Sequence, residues 1–252
     1  MPVDLHAHLD FKDYEKDLDQ VIQSAGTAGV GLILTCGIDD ESSQRALSIA
    51  GRHASVYAAA GFHPHEASKA GPGYLDGLKK ILSRPRVPAV GEIGLDFHYD
   101  RSPRETQEKV FEEQLDLAVS LEKPVMIHSR AAEERAFEMA RAVGVKKAMF
   151  HCFTGNAELG RRIQSAGYFI GVTGIVTFSN PSNARMVSQL DPEMLITETD
   201  CPFLAPKPFR GKRCEPSYIP LILNKLAEIF PGRTHQELDA RIERNAKELL
   251  GL

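Results

Sequence analysis

The sequence predicts an α/β protein folded as a closed (β/α)8, or TIM, barrel. Three observations carry that prediction. Short apolar runs rich in β-branched residues alternate eight times with longer amphipathic ones, as strands and covering helices do around a parallel sheet. The chain has 252 residues, the usual size of such a barrel and enough for one large core. No Gly-rich dinucleotide turn follows the first strand candidate, as an open doubly wound sheet would usually carry.

The elements follow in order. The first strand is "PVDLHAHL" (2–9), and a helix is expected near 16–28. "VGLILTC" (30–36) and a helix at 41–52 form the second unit, and "SVYAAAGFH" (55–63) with a helix at 74–82 the third. "VPAVGEIGL" (87–95) precedes a long helix at 103–121, whose start is signalled by the Ser102-Pro103 pair and glutamate-rich first turns. "KPVMIHS" (123–129), "KAMFHCF" (147–153) and "YFIGVTG" (168–174) are followed by helices at 131–143, 156–166 and 181–190. "EMLITETD" (193–200) is the eighth strand, and helices at 216–230 and 235–249 close the chain. Residues 201–216, "CPFLAPKPFRGKRCEP", are too rich in proline for a helix and long enough for a functional loop. With no linker or low-complexity segment, residues 1–252 are expected to form a single barrel domain.

Composition narrows the chemistry. The chain is 42% hydrophobic and 25% charged with a formal charge of -4, so it cannot coat a polyanion by bulk charge. A nucleic acid would have to be met by a local basic patch or by bound cations. The four cysteines, Cys36, Cys152, Cys201 and Cys214, form no CxxC pair, and no cleavable leader is expected ahead of them. Reduced thiols and a cytoplasmic location are the expectation. No apolar run approaches the roughly twenty residues of a membrane helix, and no membrane contact or obligate protein partner is expected.

The polar residues collect at strand ends. His6 and His8 end strand 1, His63 and His65 follow strand 3, Glu92 and Asp96 lie on strand 4, and His128, His151, Glu198 and Asp200 end strands 5, 6 and 8. Six of the nine histidines belong to this set. In a barrel those carboxyl ends form one rim, the usual place for catalytic groups. An extended backbone sends residues i and i+2 to one face, so His6 and His8 can point into one cavity with Asp4 behind them. Buried together, so many imidazoles and carboxylates lack compensation without a cation. Such ligands suit zinc, manganese, iron or magnesium, and one carboxylate can bridge two ions about 3.5–4 Å apart. Cys152 and Cys201 each adjoin a candidate ligand and by alternation face the helix layer, as packing residues. A serine nucleophile lacks its GxSxG elbow.

"DLHAHLD", "GFHPHEA", "GEIGLDF", "PVMIHSR", "FHCFTGN", "LITETDCPFLAP" and "RGKRCEP", in this order, resemble the TatD-type metal-dependent deoxyribonucleases, a branch of the amidohydrolase-like barrels. The resemblance implies two divalent metal ions, magnesium, manganese or zinc, with His6, His8, Glu92 and Asp200 around one and Glu92, His128 and His151 around the other. It implies substrate contacts from His63, His65, Arg130, Lys212 and Arg213, the last two in the basic loop that also carries Lys207 and Arg210. Two positions depart from the family pattern: Ala131 where aspartate is common after "HSR", and Cys214 where asparagine is usual. Neither is a ligand, so they bear on substrate choice more than on chemistry.

The expected activity is phosphodiester hydrolysis of single-stranded DNA, as a 3′–5′ exonuclease, by a metal-held hydroxide that Asp200 orients or deprotonates, with Glu92 as the second catalytic carboxylate. The competing readings are a hydrolase of another ester or amide, such as a lactone, a cyclic amide or an aminoacyl ester, and a non-enzymatic binder of metal or nucleic acid. The hydrolase alternative lacks an obvious bridging lysine, and the binding alternative leaves a second ligand set without a purpose.

Overall fold

The computed structural model describes residues 1–252. The strands are β1 (Val3–Ala7), β2 (Leu32–Cys36), β3 (Val56–Ala60), β4 (Ala89–Asp96), β5 (Val125–Arg130), β6 (Ala148–Phe150), β7 (Phe169–Val172) and β8 (Leu195–Thr197). The helices are α1 (Leu18–Thr27), α2 (Asp40–Arg52), α3 (Tyr74–Leu82), α4 (Arg104–Ser120), α5 (Glu133–Val143), α6 (Ala157–Ser165), α7 (Ser182–Val187), α8 (Ile219–Ile229) and α9 (His235–Leu250). All eight strands belong to one sheet in chain order, with parallel pairing of β3 to β4, β4 to β5, β5 to β6 and β7 to β8. Every residue of β1, β2 and β4 is buried: β2 reads as a near-continuous apolar run, whereas β1 and β4 bury Asp4, His6, Glu92 and Asp96 among their apolar residues.

The chain divides into two compact units. The first comprises Met1–Leu34, Cys152–Glu248 and Leu252. In it the end of the chain returns to its beginning. The Thr197 hydroxyl donates to the Val3 carbonyl at 2.7 Å, and beyond β8 Asp200 N donates to His6 O at 2.9 Å and His8 N to Cys201 O at 2.8 Å. A sheet ordered one to eight whose first strand meets the last is a (β/α)8 barrel. From α9, the buried Asn245 amide donates to the carbonyls of Glu193 and Leu195, holding the entry to β8.

The second unit comprises Thr35–His151 and Leu249–Gly251. Two buried glutamines of α4 act here as extra rungs of backbone pairing. Gln114 accepts from Phe62 N and donates to Phe62 O, fixing the exit of β3. Gln107 does the same for Asp96 and also donates to Ser102 O, fixing the end of β4. Gly94 is required by close approach: a Cβ built there would lie 1.9 Å from the His128 carbonyl oxygen of β5, its register partner.

The predicted elements recur with local differences at their ends, and α8 starts only after a 3-10 turn at Pro216–Tyr218. The Ser102 hydroxyl does not cap α4, which starts after Pro103; it donates to His65 O and accepts from Ser68 N, tying two loops. β8 begins at Leu195, because Pro192–Met194 form a 3-10 turn that Asp191 caps through Glu193 N. α7 ends at Val187, beyond which Gln189 and Leu190 tighten into i to i−3 hydrogen bonds. No helix is long and apolar enough to cross a membrane.

Candidate metal centre

In the first unit the strand alternation of β1 places Asp4, His6 and His8 on one side. The His6 and His8 rings lie edge to face with centroids 5.0 Å apart, both buried. Asp4, behind them, is fully buried and accepts from Thr199 N at 2.8 Å and Thr199 Oγ1 at 2.6 Å. Burial pushes its pKa up to about 7 against the pull of those hydrogen bonds, so this carboxyl belongs to the scaffold. His8 is oriented from two sides: its ring stacks on Phe11 at 4.8 Å, and its Nε2 lies 3.5 Å from Asp200 Oδ1. Asp200 has a left-handed backbone, φ 56°, whose position is held by the Asp200 N to His6 O bond. Glu198, one of the acidic residues at strand 8, points instead at the backbone and accepts from Cys152 N; a Cβ on Gly171 would meet its Oε1.

The second unit gathers three imidazoles around one oxygen. Glu92 Oε1 is 2.8 Å from His128 Nδ1, 3.4 Å from His151 Nε2 and 3.6 Å from His63 Nε2, with Glu92 itself buried. Below them Asp96 Oδ2 lies 2.9 Å from His65 Nε2 and 3.2 Å from His128 Nε2. Burial alone would neutralise His128, yet its hydrogen bonds to Asp96 and Glu92 outweigh that and raise its pKa to about 9. Burial likewise opposes ionisation of Asp96, and the His128 and His65 bonds hold it well below the usual carboxylate range. The cluster therefore calls for positive charge at the Glu92 end of His128, and buried nitrogen and oxygen donors of this kind fit a divalent cation.

His63, Glu92 and His128 each offer an atom within 4.8 Å of the others, yet His63 is set apart by its tautomer. Its Nδ1 accepts from the His65 backbone N–H at 3.1 Å, so in the neutral ring the proton sits on Nε2. His63 thus presents a donor, suited to a substrate oxygen, whereas a lone pair on His128 requires loss of the proton that its two carboxylates favour, as metal binding would bring about.

The expected substrate contacts part company. His63 and His65 lie against the carboxylates just described. Arg130 is exposed at the end of β5, its guanidinium 4.6 Å over the Tyr99 ring. Lys212 is exposed, its Nζ 5.8 Å from the Phe209 ring. Arg213 is not brought into either cluster. Its NH1 donates to Asp13 O and Asp17 Oδ1, and its NH2 to Asp17 Oδ2 and Glu215 Oε1, so four of its five donors are taken, three of them tying the proline-rich loop to the segment before α1. The Cys214 thiol beside it is fully buried and pushed up in pKa by that burial, a packing position that presents nothing to a substrate. Cys201 is likewise buried, and Cys152 Sγ lies 3.6 Å from Thr173 Oγ1, as packing residues should.

The family model for TatD-related DNases matches residues 3–251. This chain belongs to the TatD family. It is 36% identical over 252 residues to the metal-dependent hydrolase YabD of Bacillus subtilis, covering 99% of this chain and 98% of that protein. It is 34% identical over 257 residues to the 3′-5′ ssDNA/RNA exonuclease TatD of Escherichia coli K12, covering 99% and 98%. The crystal structure of the TatD homologue YjjV from Escherichia coli K12 superposes with a TM-score of 0.94 at 29% identity, covering 100% of this chain and 98% of that one. The TatD-family chain is accordingly a metal-dependent hydrolase acting on ester bonds, on a (β/α)8 barrel.

Two residues of the centre escaped a role at the sequence level. Asp96 is four residues from Glu92 on the same strand face, a period-two signal that could have assigned it to the centre. Gln107 leaves no such signal, because its partners are backbone groups of another element.

Proposed function

We propose that this TatD-family hydrolase is a 3′–5′ exonuclease on single-stranded DNA that works with two divalent cations. His6, His8, Asp200 and Glu92 would hold one and Glu92, His128 and His151 the other. The observation that carries this reading is the Glu92 oxygen faced by three imidazole nitrogens at 2.8–3.6 Å, a donor set with a carboxylate at its centre and a histidine donor, His63, beside it. A divalent cation there supplies Lewis acidity, acidifying water and neutralising charge on the phosphoryl oxygens.

The chain's own groups supply the rest. Asp200, fixed by its left-handed backbone and His8, orients and deprotonates the attacking water. His63 donates its Nε2 proton to a non-bridging phosphate oxygen. Arg130 and Lys212 bind flanking phosphates and compensate locally for the net acidic chain. The relatives named as 3′-5′ ssDNA/RNA exonucleases support both substrate and polarity.

The test is an assay of metal-stripped protein restored with magnesium, manganese or zinc, against 3′- and 5′-labelled single-stranded DNA, a lactone and a simple phosphodiester. Loss of label from the 3′ end, dependent on added metal, is the expected result. Lactone turnover without DNA cleavage would move the chain to the ester-hydrolase reading, and metal-dependent binding without turnover to the binding reading.

A further inference from the structure

Most of the large apolar side chains are buried, and Tyr99 is a conspicuous exception at 50% exposure. It stands on the turn after β4, where the Arg130 guanidinium lies 4.6 Å and that of Arg101 5.6 Å from its ring centroid. Neither arginine has a carboxylate partner. Nearby Arg104, by contrast, is paired with Asp100, Arg135 with Glu108 and Arg213 with Asp17. The ring also meets the His65 imidazole edge-on at 5.6 Å, and so abuts the cluster that contains Glu92 and His128.

The turn that presents Tyr99 is preorganised. Asp96 Oδ1 accepts from the backbone N–H groups of His98 and Tyr99 at 3.0 and 2.9 Å, while its other oxygen binds His65 and His128. Arg104 clamps Asp100 and Phe97 O, and Ser102 ties the turn to His65 O. A half-exposed aromatic face with two unpaired guanidiniums beside it matches a planar, uncharged ring system joined to an anion. An unpaired nucleobase and its phosphate have that chemistry, whereas a bare phosphodiester would leave the ring unused.

We propose that Tyr99, flanked by Arg101 and Arg130, is a nucleobase-stacking subsite that seats an unpaired base of a single strand beside the Glu92–His128 cluster. This rests on the nuclease reading above. Tyr99 supplies the π-face, the arginines hold the adjoining phosphate, and Asp96 sets the height of the platform relative to the imidazoles. Because every base has a π-face, the subsite selects single strands over duplex rather than one sequence over another.

The test compares native protein, Tyr99→Ala and Tyr99→Phe, with manganese in excess, on a single-stranded DNA oligonucleotide and on a strand of the same length whose 3′-terminal residues are abasic. Native protein should show a KM for the base-bearing strand roughly 5- to 150-fold below that for the abasic strand, the range for one stacked base. In Tyr99→Ala that ratio should fall towards one, and Tyr99→Phe should restore it. A Tyr99→Ala ratio equal to the native one overturns the subsite while leaving the nuclease reading intact. Native protein that cleaves neither strand with any metal overturns both.

Discussion

Asp96 holds one nitrogen of His128 while Glu92 faces the other: Oδ2 lies 3.2 Å from Nε2, and Glu92 Oε1 lies 2.8 Å from Nδ1. A carboxylate behind an imidazole fixes which nitrogen keeps its proton and aims the other. Asp96→Asn keeps an oxygen for the His98 and Tyr99 amides but removes the charge behind His128. Metal affinity should fall by about 10- to 100-fold, measured by calorimetric titration with manganese, with the circular dichroism spectrum of the stripped protein unchanged and its Tm lowered, because the charge removed is stabilised in the fold. Native affinity in the variant would show that Asp96 serves the turn alone.

Glu92 is the carboxylate assigned to both cations. Glu92→Gln should therefore lower metal stoichiometry together with rate, since an amide offers one weak acceptor oxygen where the carboxylate offers two charged ones. Elemental analysis of the purified variant reads this directly. Undiminished metal content would sink the bridging assignment.

Asp200 carries the proposed proton transfer. Asp200→Asn preserves shape, and the His6 O and Phe203 N backbone bonds at this residue need no side chain. With manganese in excess, single-stranded DNA should still bind, while turnover should drop by roughly 10²- to 10⁴-fold, the range for loss of a general base. Turnover within a few fold of native would assign the base elsewhere.

Arg213 is an anchor by its contacts, and its variant should report on stability rather than on KM. Its hydrogen bonds lower the pKa of the half-buried Asp17 carboxylate. A group depressed in the folded state contributes stability above its unfolded pKa and loses that contribution as pH falls through its folded value. Arg213→Ala should thus lower Tm at pH 7, and the gap to native protein should narrow on titration below pH 4. A Tm gap that is constant with pH would mean that the arginine acts through packing on Tyr14, 4.8 Å away, and not through charge.

Most strand positions and the candidate ligands were legible because they depend on alternation: His6 and His8, or Glu92 and Asp96, share a face for reasons internal to one strand. Partners from other elements were not. The basic run 210–213 reads as a uniform phosphate clamp, yet Arg213 is occupied by Asp17, distant in sequence and invisible to spacing. The same holds for His63, whose donor role follows from one backbone amide two residues on, and for Ser102, drawn from its helix start by the His65 carbonyl. The 3-10 turn at Pro192–Met194 shortened β8 because proline favours a turn that apolar periodicity does not register.

Gly94 gives the centre a gauge made of nothing. Glu92 and His128 come from adjacent strands, and the distance between those strands is set where a side chain is missing. An added methyl group would act as a spacer two residues from one ligand and opposite the other, prising apart the pair of atoms that now stand 2.8 Å from each other. Transplanting these ligands onto another barrel would therefore require copying the hole along with the donors: an alanine at this one position, apolar and nearly isosteric, would detune the site more than many changes to its visible residues.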